Sequence, residues 1–363
     1  MALHPLIGHR TECSRVLRAL ESGRLPQMLV VTGPQGVGKQ RFALWMAQAL
    51  LCESPVGRPC GECRPCRQVG ELTHPDLHWF MPLPRPKATE ADRQIEELAG
   101  TLADVMEGRR KEPLYQPADG MAGHFVATVR LLQRRAALTP VAGKHKVFIV
   151  AEADRLVPQE SSPEAANAVL KLLEEPPRDS YFVLTTVDAG RLLPTVRSRL
   201  VPLRLGRLSD AEVEGFLAGR AGVVKSSEDI RNRVAMARGS IGRALTADDQ
   251  RGKAGRSVEE LLAAVTAGAG SRAERALKQG PWAARGDFTA MLDAMQEGLS
   301  AAARAASGAG VAAPQPSTLR PARPVQSLVQ AADRVAVARE AAQGNVNPQL
   351  LLAVLADDLA EVL

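Results

Sequence analysis

The chain has 363 residues, enough for two or three domains with real cores. Hydrophobic residues make up 45% and charged residues 24%, which excludes a wholly disordered chain, and no run of 18 apolar residues offers a membrane-crossing helix. Lys and Arg number 46 against 40 Asp and Glu, a net +6 that is compatible with a nucleic-acid partner, while only 3% aromatic residues argues against base-stacking platforms.

In chain order, residues 11–22 form an amphipathic helix with Val16, Leu17 and Leu20 on one side. Gln27-Met-Leu-Val-Val-Thr32 is a short apolar strand that runs into a glycine-rich turn and then a helix from Lys39 to Leu51. Residues 125–138 are helical, and Lys146-Val-Phe-Ile-Val150 is a second buried strand. A helix from Ala165 to Glu175 is closed by Pro176-Pro177, and Tyr181-Phe-Val-Leu-Thr185 is a third strand. Such alternation, with continuously apolar strands, predicts an α/β fold whose parallel sheet is covered on both faces. The polar stretch from Pro82 to Gly123 interrupts it and reads as a surface insertion with one short helix near Glu96–Asp104. Strand signals end at Leu208. Ser209-Asp-Ala-Glu212 has the form of a capping box and opens a small helical module, or lid, over 206–250. An Ala-rich helical domain over 251–363 follows, interrupted by a linker from Gly308 to Pro324. Its last helix starts on Asn347 and Pro348, with Leu351, Leu352, Leu355, Leu359 and Val362 along one side. The domain expectation is therefore 1–205 α/β, 206–250 lid and 251–363 helical collar.

Four features carry chemistry. Gly33-Pro-Gln-Gly-Val-Gly-Lys39 matches G-x-x-x-x-G-K between a strand and a helix. Gly33, Gly36 and Gly38 let backbone N–H groups turn toward phosphate oxygens at a helix N-terminus, and Lys39 reaches the β/γ-phosphates. The next position normally carries the hydroxyl that holds Mg²⁺; here it is Gln40. The strand ending at Val150 is normally followed by Asp-Glu, but here by Ala151-Glu152, so a second Mg²⁺ anchor is missing and only Glu152 remains. Phosphate binding by this loop is compatible with these losses; metal-assisted hydrolysis is not.

Cys52, Cys60, Cys63 and Cys66 lie within fifteen residues, among prolines and glycines that bend the chain. Four thiolates suit a closed, tetrahedral, structural Zn²⁺ site, an iron–sulfur cluster being the lesser alternative. With no export signal at the N-terminus, such a cluster points to a reducing cytoplasm rather than to disulfides. Finally, Ser198-Arg199 lies beyond the third strand, where Arg199 could reach a neighbouring subunit's nucleotide as an arginine finger.

Together with Leu6-Ile-Gly-His9, Gly23-Arg-Leu-Pro26, Thr73-His-Pro-Asp76 and the block Ala166-Asn-Ala-Val-Leu-Lys-Leu-Leu-Glu-Glu-Pro-Pro177, these segments resemble the clamp-loader branch of the AAA+ ATPases, and within it the delta-prime subunits of bacterial DNA polymerase III. The resemblance spans about residues 5–205 and implies an AAA+ domain with an embedded zinc module, a lid and a collar. It implies a member of a hetero-pentamer with gamma/tau and delta subunits, which places a sliding clamp on primed DNA without itself turning over ATP. It puts Thr186 at the first sensor position and Arg199 in a Ser-Arg-Cys motif whose Cys is here Leu200. The second sensor is not matched: Gly239-Ser-Ile-Gly-Arg243 has Gly242 at that position, and Arg243 falls one step late. Two other readings stay open: an ATP-hydrolysing gamma/tau-type motor tolerant of Gln40, and a zinc-bearing nucleic-acid-binding module with a vestigial phosphate loop.

Overall fold

The computed structural model describes residues 3–111, 122–156, 164–219, 226–245, 248–280, 285–308, 323–342 and 346–363. Its elements in chain order are α1 (Arg10–Glu21), β1 (Met28–Thr32), α2 (Lys39–Leu51), α3 (Arg64–Gly70), β2 (Leu77–Phe80), α4 (Ala91–Lys111), α5 (Val126–Ala137), β3 (Lys146–Val150), α6 (Glu164–Glu174), β4 (Ser180–Thr186), α7 (Pro194–Arg197) and β5 (Val201–Arg204). Then come α8 (Asp210–Ala218), α9 (Ser227–Ala237), α10 (Ile241–Leu245), α11 (Asp248–Ala267), α12 (Ala269–Leu277), α13 (Arg285–Ala306), α14 (Val325–Ala341) and α15 (Pro348–Val362). The chain divides into two compact units, the first reaching Leu245 and the second comprising the chain beyond it.

The first unit is built on one five-stranded sheet in the order β2-β3-β4-β1-β5, every pairing parallel. Its central strands are apolar on both faces because helices cover both, as the alternation predicts. Thr32 pairs with Thr186 on one side and Arg204 on the other, so the C-terminal ends of β1, β4 and β5 come level. In such a sheet ligands sit beyond these ends, where connections leave in both directions. The core gathers Val30, Val31, Phe42, Met46, Phe148, Ile149 and Val183, with Phe148 and Phe182 stacked 4.8 Å apart.

Two strands and much of one helix go beyond the sequence expectation. β2 is four residues long and carries His78, and β5 is an exposed edge strand that includes Pro202, whose missing N–H is tolerated there. The helix expected at 96–104 runs instead from Ala91 to Lys111, and Ile95, Leu98 and Leu102 sink into the main core against α5. This segment is thus a packed layer of the domain rather than a surface decoration. Residues 112–121 of the expected insertion lie outside the described residues, as do 309–322 of the expected linker.

Ser209 and Glu212 form the expected reciprocal capping box at the start of α8. Helices α8, α9 and α10 close a small core of their own around Val213, Leu217, Ala237 and Ala244, and they belong to the first unit. In the second unit, α11, α13, α14 and α15 bury Leu261, Leu292, Leu299, Val335, Leu352 and Leu359. Asn347 caps α15 through its side chain, which accepts from Gln349 N–H. Among the described residues no helix is long and apolar enough to cross a membrane.

Candidate functional site

β1 ends at Thr32, and the chain turns through Gly33–Gly38 into α2. Gly38 holds φ +103° as the N-cap of α2, a conformation that frees the loop to wrap around the helix N-terminus. Lys39, on the first turn, folds back so that Nζ donates to the carbonyls of Gly33 and Pro34, both at 2.9 Å. Burial lowers its pKa to about 8, against the opposing pull of Asp154 and Glu152. The loop has the backbone donors and the lysine of a phosphate cradle.

The position after the lysine is differently occupied. The Gln40 side chain is extended between two buried partners: Oε1 accepts from the Trp79 indole N–H at 3.1 Å, and Nε2 donates to the Thr185 hydroxyl at 2.8 Å. Thr185 Oγ1 also accepts the Glu152 N–H at 3.3 Å. A polar chain thus links the ends of β2, α2, β4 and β3 where a hydroxyl would normally face a metal. Ala151, at the expected Asp position, is fully buried and bears only a methyl group. Glu152 sits in the left-handed region at φ +48° and pairs with Arg155 at 2.8 Å. Thr186 donates to Asp154 Oδ1 at 2.7 Å. The side chains at positions 40 and 151 therefore do not fit the usual magnesium site of a phosphate-loop ATPase.

The start of α10 closes over the loop. Gly242 N–H donates to Gly36 O at 3.0 Å, and the Ser240 hydroxyl donates to Gln35 O at 2.9 Å. Gly36, at φ +74°, has no room for a side chain, since a Cβ would lie 2.3 Å from Ser240 Oγ. Gly242 thus faces the loop through its backbone, and Arg243 N–H turns to Ser240 Oγ at 3.3 Å.

Cys52 ends α2, Cys63 caps α3 and Cys66 lies within it, with Cys60 in the turn between. Their sulfurs all lie within 4.8 Å of one another, and none is in a disulfide. The separations are 3.6 Å for Cys52–Cys60, 3.9 Å for Cys52–Cys63 and 4.0 Å for Cys60–Cys66. Four thiolates at the usual Zn–S bond length of about 2.3 Å in a tetrahedron stand ~3.8 Å apart, so the cluster can hold a metal ion of that kind. The Cys63 and Glu62 backbone N–H groups lower the Cys60 thiol to about 6, while burial pushes the Cys66 thiol up.

Arg199 lies apart from these groups, one residue past Ser198, which ends α7, and before the edge strand β5. Its Nη2 donates to Glu174 Oε1 at 2.6 Å and its Nη1 to Thr195 O at 2.7 Å.

The structure thus brings Gly33, Gly36, Gly38, Lys39, Gln40, Glu152 and Thr186 to one end of the sheet, and the four cysteines to one knot. Sequence reasoning missed Trp79, Thr185 and the loop contact of Ser240, and it noted Asp154 beside Glu152 without giving it a role. Trp79 carried a usable signal: a buried indole N–H needs an acceptor, and Gln40 offers one. For Ser240 the signal was its place in the Gly239–Arg243 segment at the second sensor position, but its bond to the loop, 205 residues away in the chain, could not be read from it.

A family model described as "DNA polymerase III, delta subunit" matches residues 8–209, more than half of the chain. The subunit delta' of Pseudomonas aeruginosa is 31% identical over 171 residues, 47% of this chain and 40% of that one. The subunit delta' of Bacillus subtilis is 29% identical over 199 residues, 55% and 48% of the two chains. The gamma/tau subunit of Mycobacterium tuberculosis is 30% identical over 190 residues, 52% of this chain but 26% of that one. The chain therefore spans less than half the length of these curated relatives. A gamma-subunit-related protein of Thermotoga maritima superposes over 95% of this chain and 98% of its own, at 15% identity and a TM-score of 0.40. Identity alone does not separate the delta' relatives from the gamma/tau relatives, but the model spanning the sheet, the cysteine knot and Ser198-Arg199 does place the chain: it belongs to the DNA polymerase III delta-subunit family.

Proposed function

We propose that this chain is the delta-prime-type subunit of a DNA polymerase III clamp loader, a non-hydrolysing member of a hetero-pentamer with gamma/tau and delta subunits that places a sliding clamp on primed DNA in the cytoplasm. The observation that carries the non-hydrolysing part is Gln40. Its amide is spent on Trp79 and Thr185, and Ala151 supplies no carboxylate, so the two side-chain positions that hold Mg²⁺ in phosphate-loop ATPases are both lost. Lys39 and the glycine loop keep the means to hold a nucleotide's phosphates weakly.

Arg199 is the group this subunit lends. Set before an edge strand and one-third exposed, it would approach the ATP of an adjacent gamma/tau subunit and stabilise the charge developing on the γ-phosphate. Arginine fingers contribute roughly 10³–10⁵ in rate. The cysteine knot would hold Zn²⁺ as a structural ion, with no position left open for water or substrate. Any DNA contact would be to shape and phosphates, without base readout.

The purified chain should show no steady ATP turnover, and the assembled complex should lose hydrolysis at the adjoining site on Arg199→Ala. Brisk turnover by the chain alone would favour the gamma/tau-type motor.

A further inference from the structure

The Arg199 guanidinium is gripped at both ends of its fork. Nη2 is held by Glu174 Oε1 at 2.6 Å, and Nη1 by Thr195 O at 2.7 Å with Ser198 Oγ at 3.4 Å. Glu174 is the last residue of α6, and Thr195 lies on α7, the helix packed against it. The two ties fix the plane of a side chain that would otherwise sample many rotamers. Yet Arg199 and Glu174 stay 34% and 48% exposed, so the pair lies at the surface rather than in the core. A half-exposed pair does little for the fold. A guanidinium with its plane already set loses less freedom on meeting a phosphate.

We propose that Glu174 is a positioning residue that pre-orients Arg199 for a phosphate on a neighbouring subunit. This rests on the reading that Arg199 acts in trans. The Glu174 carboxylate holds Nη2 and the Thr195 carbonyl holds Nη1, while a third of the side chain stays open to solvent, where a partner's nucleotide would meet it. The role lies in orientation, so a neutral acceptor at the same reach should serve nearly as well.

The test uses the complete reconstituted complex with Glu174→Ala, Glu174→Gln and Arg199→Ala, following ATP hydrolysis and co-elution of all subunits. Glu174→Ala should lower kcat at the site served by Arg199 by roughly ten- to a hundredfold, the scale of a small misplacement of a reacting group, with KM for ATP unchanged. Glu174→Gln should recover most of that loss. Isolated-chain melting curves of the three variants should coincide with the parent, because the pair is exposed. A Glu174→Ala complex with full or raised kcat beside an impaired Arg199→Ala complex overturns the positioning role and leaves the trans role standing. An Arg199→Ala complex with full activity overturns the trans role itself. Equal losses in Glu174→Ala and Glu174→Gln would show that charge, not orientation, matters, and would also overturn the proposal.

Discussion

The Ser240 hydroxyl donates to the backbone carbonyl of Gln35 at 2.9 Å, joining residues 205 positions apart. Through this bond and the Gly242–Gly36 bond, the start of α10 meets the glycine loop. Gly36→Ala would force a Cβ to within 2.3 Å of Ser240 Oγ and strain a φ of +74°. It should destabilise the first unit by about 1–3 kcal/mol in denaturant unfolding. Ser240→Ala, which removes the bond to Gln35 O and the acceptor of the Arg243 N–H, should cost about 1–2 kcal/mol.

Gln40 makes opposite predictions for stability and for catalysis. Gln40→Ala removes the acceptor of Trp79 Nε1 and a donor to Thr185, and should lower stability by about 1–3 kcal/mol. Gln40→Thr should not create turnover in the isolated chain, because Ala151 still provides no carboxylate. Phosphate release with excess Mg²⁺ and ATP measures this directly.

The cysteine knot should carry about one zinc per chain by elemental analysis, with all four thiols protected from titration in the folded protein. Cys63→Ser should abolish stoichiometric metal and lower the melting temperature, and a strong chelator should do the same to the parent. The effect centres on the turn between α2 and α3, so the far-UV spectrum should change little.

Acid should weaken the first unit through two histidines. His78 is stacked on Phe148, and His124 is fully buried with Nε2 2.6 Å from Ala151 O. Burial lowers both to about 4, from the ordinary 6.5. Between those values the unfolded chain binds protons that the folded chain refuses, so stability is whole above pH 6.5 and falls as pH drops toward 4. The full loss is of order 3 kcal/mol for each ring. Protonated His124 would also carry a Nδ1–H that has no acceptor among the described residues. Unfolding free energies at pH 7 and pH 4.5 should converge in His124→Gln relative to the parent.

The helix α4 gives a packing prediction. Leu98 is 2% exposed and belongs to the main core, so Leu98→Ala should cost about 2–4 kcal/mol, whereas truncating the exposed Glu96 should cost almost nothing. Near-neutral behaviour at Leu98 would contradict its place in the core.

β1, β3 and β4 were legible because a strand covered on both faces must be apolar throughout, and Val30, Ile149 and Val183 state that locally. β2 and β5 were not. His78 breaks the apolar run of the one, and Pro202 with exposed neighbours masks the other, since an edge strand has little burial to impose. The ends of α4 hid for a similar reason: only Ile95, Leu98 and Leu102 are buried on it, while Gly100 and Gly108 dilute the pattern. At the candidate site, the loop glycines, Lys39 and the cysteines were readable because their spacing is itself the chemistry. The partners of Gln40 were not, because Trp79 and Thr185 reach it only after the sheet has assembled.

The sheet order sets a timetable on the ribosome. β1 is made first yet finds both its neighbours, β4 and β5, only at residues 180–204. Until some two hundred residues have emerged, its backbone amides have no ladder, and the nascent segment must stay soluble without one. The cysteine turn has the reverse economy, since all four sulfurs come from a stretch ending at Cys66. A metal ion bound there would close it early in synthesis and give the emerging chain a small rigid anchor well before the central strands can pair.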